Sequence, residues 1–325
     1  MIGTRDAPLI SIIIPCYNQA RYLADAIKSA LAQTHSPVQV VVVDDGSVDN
    51  TAEVASHYPN VCFVRQRNQG VAKARNTGFH RSSGDYVLFL DADDRLTPNA
   101  AETHLCCFAE HPEAGFVVGN IDVISRDGSY LHSYHGPDSA GDQYEQLLKV
   151  NHVANTIAVM FRRSVFDSVG GFDGSYSPTE DYEILLRVAR VFPGAQHRSV
   201  VAQYRRHDSN TSRKGALMLR RMYRVMQSQL SFVNGNPALK AAHRRGQNHW
   251  RDFYGGVTMK EILAHLTRGD LLHAASAFAT LLWYVRGRVF IIPWKYRKRV
   301  LTGRWDTASK MRYRLRLRSE RVSKS

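Results

Sequence analysis

Short apolar runs alternate with amphipathic segments over the first ninety residues of the chain. The runs are rich in β-branched residues and end at proline, glycine or acidic residues, which is typical of buried strands. Strands are predicted at 10–15, 38–43, 61–64 and 86–90, and helices at 20–33, 49–57 and 71–80. This alternation with short connections predicts an α/β fold, with a mostly parallel sheet flanked by helices.

The pattern is less regular from residue 97 onward. A helix is predicted at 100–110; if the acidic residues before it only cap this helix, Thr97 is its N-cap and Pro98 takes the first helical position. The further predictions are strands at 116–124, 155–161 and 200–205, a hairpin turn at 126–129, loops at 133–143 and 174–179, and helices at 162–169 and 180–192. Beyond these, residues 213–232 have the spacing of an amphipathic helix, and an apolar stretch at 258–285 breaks near Gly269.

Acidic residues follow two of the predicted strands at the point where each strand ends. Asp44 and Asp45 follow the second strand, and Asp91, Asp93 and Asp94 follow the fourth. The carboxyl ends of parallel strands meet at one edge of a sheet, where ligands of open α/β folds bind. In an extended segment Asp91 and Asp93 would leave the same face, so they would either share a cation or only cap the next helix.

Two common nucleotide sites are disfavoured by the same strand ends. The first strand is not followed by the glycine-rich turn of dinucleotide-binding folds, and the chain has no GxxxxGK[ST] motif. Nicotinamide cofactors and P-loop binding of ATP are therefore not expected.

The charge of the chain is concentrated at its C-terminal end. The formal net charge is +14, yet residues 1–239 hold 23 basic and 24 acidic residues, and residues 240–325 hold 20 and 5. The last quarter therefore has a separate role, as helices on an anionic membrane face, a helical bundle with a solvated basic surface, or a nucleic-acid-binding region. No known nucleic-acid-binding module is visible, so no nucleic acid partner is expected, and no run is long enough for a membrane span.

The cysteines and the N-terminus bear on location. Cys16, Cys62, Cys106 and Cys107 lack disulfide or zinc spacing, and the adjacent Cys106 and Cys107, in an apolar helical context, are expected to be buried, reduced thiols. No charged-then-apolar leader is seen. A cytoplasmic location is expected, with peripheral contact to the inner face of the cell membrane as an extension of the membrane interpretation.

Eight short motifs in order carry a family resemblance over about residues 10–212. They are SIIIPCYN from Ser11, VDDGSVD from Val43, NQG from Asn68, ARNTG from Ala74, DADD from Asp91, GGFD from Gly170, ED from Glu180 and YRRH from Tyr204. The chain resembles the family 2 inverting glycosyltransferases of GT-A fold. The resemblance implies a GT-A catalytic domain at 1–212. Beyond it, the apolar spacing and the basic charge predict a helical, basic region at 213–325.

The resemblance also implies a nucleotide-sugar donor, with UDP favoured, bound at the strand ends. Asp44 or Asp45 would accept the imide hydrogen of uracil while the other positions the turn, and Tyr17 would offer its ring to the base unless it is a core residue. The predicted donor-binding set is Pro15, Tyr17, Asn18, Asp44, Asp45, Arg75, Asp91 and Ala92. Arg75 would reach the phosphates or the Asp91 region, or would simply be an exposed helix cation.

A divalent ion and a catalytic base complete what the resemblance implies. Asp93 would bind Mn²⁺ or Mg²⁺, with Asp94 in support, and His207 would complete the metal shell unless it is a surface residue. Asp181 would remove the acceptor proton, with Glu180 in support, unless both are ordinary first-turn acids. The helix N-terminus would lower the pKa of Asp181, and Glu180 would raise it.

The expected activity is transfer of a hexose-type sugar to a hydroxyl of a surface or lipid-linked glycan, with an anionic membrane surface as a further partner. A nucleotidyltransferase is the first rival, but it would need a glycine-rich loop with a basic residue after the first strand. A non-catalytic protein that retains the fold is the second, and the presence of Asp45, Asp93 and Asp181 argues against it.

Overall fold

A computed structural model describes residues 7–136, 141–153, 155–207 and 214–285. The chain divides into two compact units. Unit 1 is Met1–Leu147 with Asn151–Ser209, and unit 2 is Leu148–Val150 with Asn210–Ser325. The boundary predicted between residues 212 and 213 lies outside the described residues.

Nine strands form one sheet in unit 1. They are β1 Ile10–Cys16, β2 Val38–Asp44, β3 Cys62–Arg65, β4 Tyr86–Phe89, β5 Arg95–Leu96, β6 Phe116–Ile124, β7 Tyr130–Tyr134, β8 Val159–Arg162 and β9 Gly194–Arg205. The helices that begin before residue 208 are α1 Ala20–Leu31, α2 Thr51–Ser56, α3 Val71–His80, α4 Ala100–Glu110, α5 Gln143–Lys149, α6 Ser164–Val169 and α7 Glu180–Ala189.

The sheet order is β3-β2-β1-β4-β8-β6-β9-β5, with β7 paired to β6. The strands β1 to β4 are parallel, as predicted. The second half is mixed, because β8 runs antiparallel to both β4 and β6, whereas β6 and β9 are parallel. The carboxyl ends of β1, β2 and β4 therefore share one edge.

Both faces of β1 are buried because helices cover them. Ile12 and Ile14 belong to a core that includes Leu23 of α1. On the other face a Cβ at Gly78 of α3 would lie 2.3 Å from the Ile13 side chain, so α3 approaches the sheet closely through this glycine. A strand covered on both faces explains the continuous apolar run of β1.

Several predicted elements need correction. The N-cap of α4 is Asn99 rather than Thr97, because the Thr97 backbone and hydroxyl instead bond to residues 200 and 201 of β9. The strand predicted at 155–161 begins as a 3₁₀ turn, Thr156–Ala158. Of the two adjacent cysteines, Cys107 is buried but Cys106 is exposed, so the prediction of a buried thiol was wrong for Cys106.

The described part of unit 2 is helical. Its helices are α8 Gly215–Ser228, α9 Leu230–Val233, α10 Pro237–Thr267 and α11 Leu271–Val285. The helix predicted at 213–232 is thus two helices, and Leu230, which was expected inside, is exposed. The break near Gly269 is confirmed as the turn between α10 and α11. None of the described helices combines the length and the apolar character that crossing a bilayer requires. The aromatic and basic segment after residue 285 lies outside the described residues.

Candidate active site

The loops after β1 and β2 are tied together at the shared edge of the sheet. Asn18 has a left-handed φ of 54°, which asparagine tolerates better than most residues. Its backbone N–H donates to Ser47 Oγ at 2.9 Å, and its side-chain oxygen accepts from the Val48 N–H. The buried Pro15 precedes this loop, and Tyr17 is 49% exposed on it. Tyr17 is therefore not a core residue and presents its ring to solvent.

The two carboxylates after β2 have different environments, although both are buried. Asp45 accepts three hydrogen bonds of 2.7–3.0 Å, from the Gln66 side chain and the backbone N–H groups of Gln69 and Gly70. Asp44 accepts from the Ser47 N–H through Oδ1, and its Oδ2 lies 3.3 Å from Arg65 Nε without a hydrogen bond among the described residues. Asp45 holds the following turn, and Asp44 keeps one oxygen unsatisfied.

The acidic motif after β4 is a turn rather than an extended segment. The Asp94 N–H donates to the Asp91 carbonyl at 3.0 Å, with the buried Ala92 inside the turn. The expectation that Asp91 and Asp93 leave one face of a strand was therefore wrong. Each carboxylate instead meets its own partner: Asp91 meets Arg75, and Asp93 meets His207.

Arg75 joins the motif to the start of α7. Its guanidinium donates to Asp91 Oδ1 at 2.8 Å and to Glu180 Oε1 at 2.9 Å, and its side chain is 4% exposed. Arg75 is thus not an exposed helix cation. Of the two destinations predicted for it, the Asp91 region is the one it occupies, so its charge positions two carboxylates.

His207 is buried beside Asp93 and is not a surface residue. Its Nε2 lies 2.7 Å from Asp93 Oδ2, and its ring stacks on Tyr22 at 5.8 Å. Arg205 fixes this corner, since it donates from its backbone N–H to Asp94 Oδ1 and from Nε to the Asp93 carbonyl. The end of β9 therefore holds Asp93 and Asp94, whereas Arg75 holds Asp91.

These acids and the imidazole fit a divalent cation. Burial, followed by the charge of Asp91, raises the pKa of Asp93, with the contact to His207 acting in the opposite direction. Burial and the neighbouring Asp93 raise the pKa of Asp94 well above its usual range. One buried oxygen of Asp94 has no hydrogen bond among the described residues. Crowded carboxylates that are costly to ionise gain from a cation, and oxygen with imidazole donors suits Mn²⁺.

Asp181 opens α7 beside Glu180. Burial raises its pKa to about 7, with the neighbouring Glu180 as the next contribution, although Arg75 and the hydrogen bond from the Tyr182 N–H act in the opposite direction. The pKa of Asp181 is therefore raised, as the neighbouring Glu180 suggested, but the largest cause is burial, which was not one of the two effects considered from the sequence. A carboxyl group of this pKa is suited to accepting a proton near neutral pH.

Sequence reasoning missed the roles of Tyr22 and Arg205. Arg205 belongs to the YRRH motif, and the signal that could have found it is a basic residue inside a strand. Its guanidinium lies 4.8 Å from the Tyr22 ring centre and 3.2 Å from Asp25 Oδ2, so its positive charge contacts an aromatic ring and a carboxylate within unit 1. Tyr22 lies on the apolar stripe of α1, and this spacing predicts a core position without indicating a contact with Arg205.

The chain matches known proteins in sequence. The model described as "Glycosyl transferase family 2" matches residues 11–170. Chondroitin synthase of Escherichia coli is 30% identical over 230 residues, which is 69% of this chain and 33% of that protein. An uncharacterized glycosyltransferase of Rickettsia typhi is 31% identical over 63% of this chain and 66% of its own length. The chain thus spans from about one third to just under two thirds of these two relatives.

Solved structures share the fold. Staphylococcus aureus TarS 1–349 in complex with UDP has a TM-score of 0.62 at 16% identity, covering 91% of this chain and 92% of that one. The mannosyltransferase PcManGT from Pyrobaculum calidifontis, in complex with GDP-Man and Mn²⁺, has a TM-score of 0.56 at 18% identity, covering 88% and 84%. The prediction of a GT-A type α/β sheet with a helical C-terminal region is confirmed by this likeness.

Proposed function

Because the chain belongs to glycosyl transferase family 2, we propose that it is an inverting, metal-dependent hexosyltransferase with a UDP-sugar donor. The observation that carries the proposal is the Arg75 bridge. It joins Asp91, at the end of β4, to Glu180, which is the immediate neighbour of Asp181. The bridge thereby links Asp91, which is proposed to bind the donor, to the neighbour of Asp181, which is proposed to accept the proton. A single displacement needs these two groups to be held in position together.

The uracil end of the site is assigned to the loops after β1 and β2. Asp44 is the acceptor for the imide hydrogen, because among the described residues its buried Oδ2 accepts no hydrogen bond, whereas both carboxylate oxygens of Asp45 do. Asp45 positions the turn, and the exposed ring of Tyr17 stacks on the base. TarS has been solved with UDP and with UDP-GlcNAc, which supports a uridine donor.

The diphosphate end is assigned to Asp93 and His207, with Asp94 in support. When bound, Mn²⁺ or Mg²⁺ supplies positive charge to the leaving diphosphate. The side chains of Asp93 and His207 would hold the metal, while Arg205 fixes the backbone that carries Asp93. The imidazole donor favours Mn²⁺, the ion named with PcManGT.

Asp181 is the base in the transfer step. The acceptor O–H bond breaks and its proton passes to the Asp181 carboxylate, while the acceptor oxygen forms a bond to the anomeric carbon. The bond from that carbon to the diphosphate oxygen breaks, and its electron pair leaves with the UDP. One displacement inverts the anomeric configuration and needs no covalent intermediate.

The proposed acceptor is a hydroxyl of a surface or lipid-linked glycan, and the proposed location is the inner face of the cell membrane. The support is the charge distribution, since the basic excess of the chain lies after residue 239. Basic segments with aromatic residues favour an anionic lipid surface.

The test uses the full chain with MnCl₂. Calorimetric titration with UDP should show binding, and a panel of UDP-sugars should identify a donor whose hydrolysis releases UDP. Asp181→Asn should bind UDP like the native chain and lose turnover. Failure of the native chain to bind UDP, with release of pyrophosphate from UTP and a sugar phosphate, would instead establish a nucleotidyltransferase.

A further inference from the structure

Helix α11 of unit 2 contains no charged residue over its fifteen positions. One face is covered by the rest of unit 2 and consists of Ala274, Ala277, Thr280, Leu281 and Val285. The polar side chains of α11 are His273, Ser276, Thr280 and Tyr284, and a helix this rich in apolar residues normally buries most of its surface. The opposite face of α11 is nevertheless open.

The open face carries large apolar side chains. Leu271 is 68% exposed, Leu272 is 85% exposed and Trp283 is 76% exposed, and Phe278 and Leu282 are nearly half exposed. At 100° per residue these five side chains fall within about 140° of the helix circumference. They form one strip along α11, called here the α11 apolar strip. Continuous exposed apolar surface of this kind marks a place where another body docks.

The charge of the neighbouring sequence indicates what docks there. The segment 286–299, which follows α11 directly, contains six Lys and Arg residues and no acidic residue. Within 214–285, unit 2 has ten Lys and Arg residues and three acidic ones. A second copy of this chain would bring the same positive charge, and the two would repel. An anionic lipid surface brings the opposite charge and an apolar interior.

We propose that the α11 apolar strip inserts into the headgroup boundary of an anionic bilayer, which the positive charge of unit 2 attracts. Trp283 is suited to that depth, since indole rings concentrate at membrane interfaces. The inference rests on the membrane partner proposed above and names the surface that contacts it. It does not depend on the assignment of the donor site.

The experiment is flotation of the full chain with vesicles of phosphatidylglycerol and phosphatidylethanolamine, and with phosphatidylcholine vesicles for comparison. The native chain should float with the anionic vesicles. Leu272→Glu with Trp283→Glu should lower the bound fraction about tenfold or more, because both changes place charge in the strip. Val191→Glu, at an exposed apolar residue of unit 1, is the matched control and should float like the native chain.

A second set of variants tests the charge. Glutamine at Lys295, Arg297, Lys298 and Arg299 should abolish the preference for anionic over neutral vesicles. In a chain with Trp294→Phe and Trp305→Phe, brominated lipids should quench Trp283, while the buried Trp250 stays unquenched.

Each outcome decides a separate point. Equal flotation of the native chain and the strip variant, or no flotation of the native chain, overturns the proposal. A native dimer that the strip variant dissociates, without vesicle binding, assigns the strip to a second copy and also overturns it. Titration with UDP tests the proposed donor site separately, because loss of UDP binding alone does not contradict the proposed lipid-binding surface.

Discussion

Replacing Asp181 by asparagine should abolish transfer and stabilise the folded protein. The native carboxyl has a pKa of about 7 against an ordinary value of 3.8, because burial and Glu180 disfavour its charge. The amide has the same shape but accepts no proton. Loss of a general base lowers the rate by about 10²–10⁴-fold.

The gain in stability follows from the pKa. A folded-state pKa above the unfolded value means that the carboxylate costs free energy at pH 8, and that this cost fades as the pH falls from about 7 towards 4. The difference between a pKa of about 7 and the ordinary 3.8 corresponds to about 4 kcal/mol in the free energy of unfolding. Asparagine removes this cost but loses about 1–3 kcal/mol where its amide is imperfectly hydrogen-bonded. Asp181→Asn should therefore raise the free energy of unfolding by about 1–3 kcal/mol at pH 8 and lower it by about 1–3 kcal/mol at pH 4, where the cost of the carboxylate has faded and the cost of the amide remains.

The assay is urea unfolding of the native and Asp181→Asn chains at pH 8 and pH 4, beside donor turnover at pH 8. Glu180→Gln is the matched control, because it also removes one charge but breaks the 2.9 Å ion pair to Arg75. It should lower stability at pH 8 by about 1–3 kcal/mol. It should also lower the pKa of Asp181, so that the acidic limb of kcat/KM, expected near pH 7 in the native enzyme, moves to lower pH.

Two results would refute this reasoning. Full turnover by Asp181→Asn would remove Asp181 from the chemistry. A variant that is less stable than the native chain at pH 8 would show that the carboxylate is favourably placed in the folded protein, in which case its pKa is not raised.

Other variants test the remaining contacts. Asp93→Asn should weaken Mn²⁺ binding by about tenfold or more in calorimetric titration with UDP present, and unchanged affinity would move the metal elsewhere. Arg75→Ala should lower the free energy of unfolding by about 3–5 kcal/mol in urea melts, because it leaves Asp91 with an uncompensated charge; a loss below about 1 kcal/mol would contradict the bridge. Asp44→Asn should weaken UDP binding with little change in melting temperature, whereas Asp45→Asn should lower the melting temperature because three hydrogen bonds depend on it; the reverse pattern would exchange their roles.

The sequence predicts the sheet edge well, because short β-branched strands followed by acids have few alternative structures. It predicts side-chain partners less well. The turn at Asp91 depends on a backbone bond from Asp94 and on Arg205, which is more than one hundred residues away in the chain. From the sequence alone Arg75 resembles a surface cation, and only the packing of α7 shows that it pairs with Glu180. Such pairs are set by tertiary contacts that local patterns do not contain.

The first turns of α10 were not predicted for a different reason. Glycines such as Gly246 are read as breaks in a helical pattern. In the structure Gly246 lies inside α10, and a Cβ there would come within 1.9 Å of the Leu148 carbonyl oxygen. Gly246 allows two backbone segments to approach closely. The sequence alone does not distinguish a glycine with this role from one that ends a helix.

The position of β9 in the sheet has a consequence for the newly made protein. It is the last strand of the sheet in the chain, and its end supplies Arg205 and, two residues later, His207. Ribosome-bound chains shorter than about two hundred residues therefore lack residues that would form half of the proposed metal pocket, whatever the state of the earlier strands. Pairing of β9 beside β6 is also a long-range event, which is slow relative to local helix formation. Metal binding at the proposed site would thus stabilise the chain only after synthesis has passed His207, and it would report that the described sheet is complete.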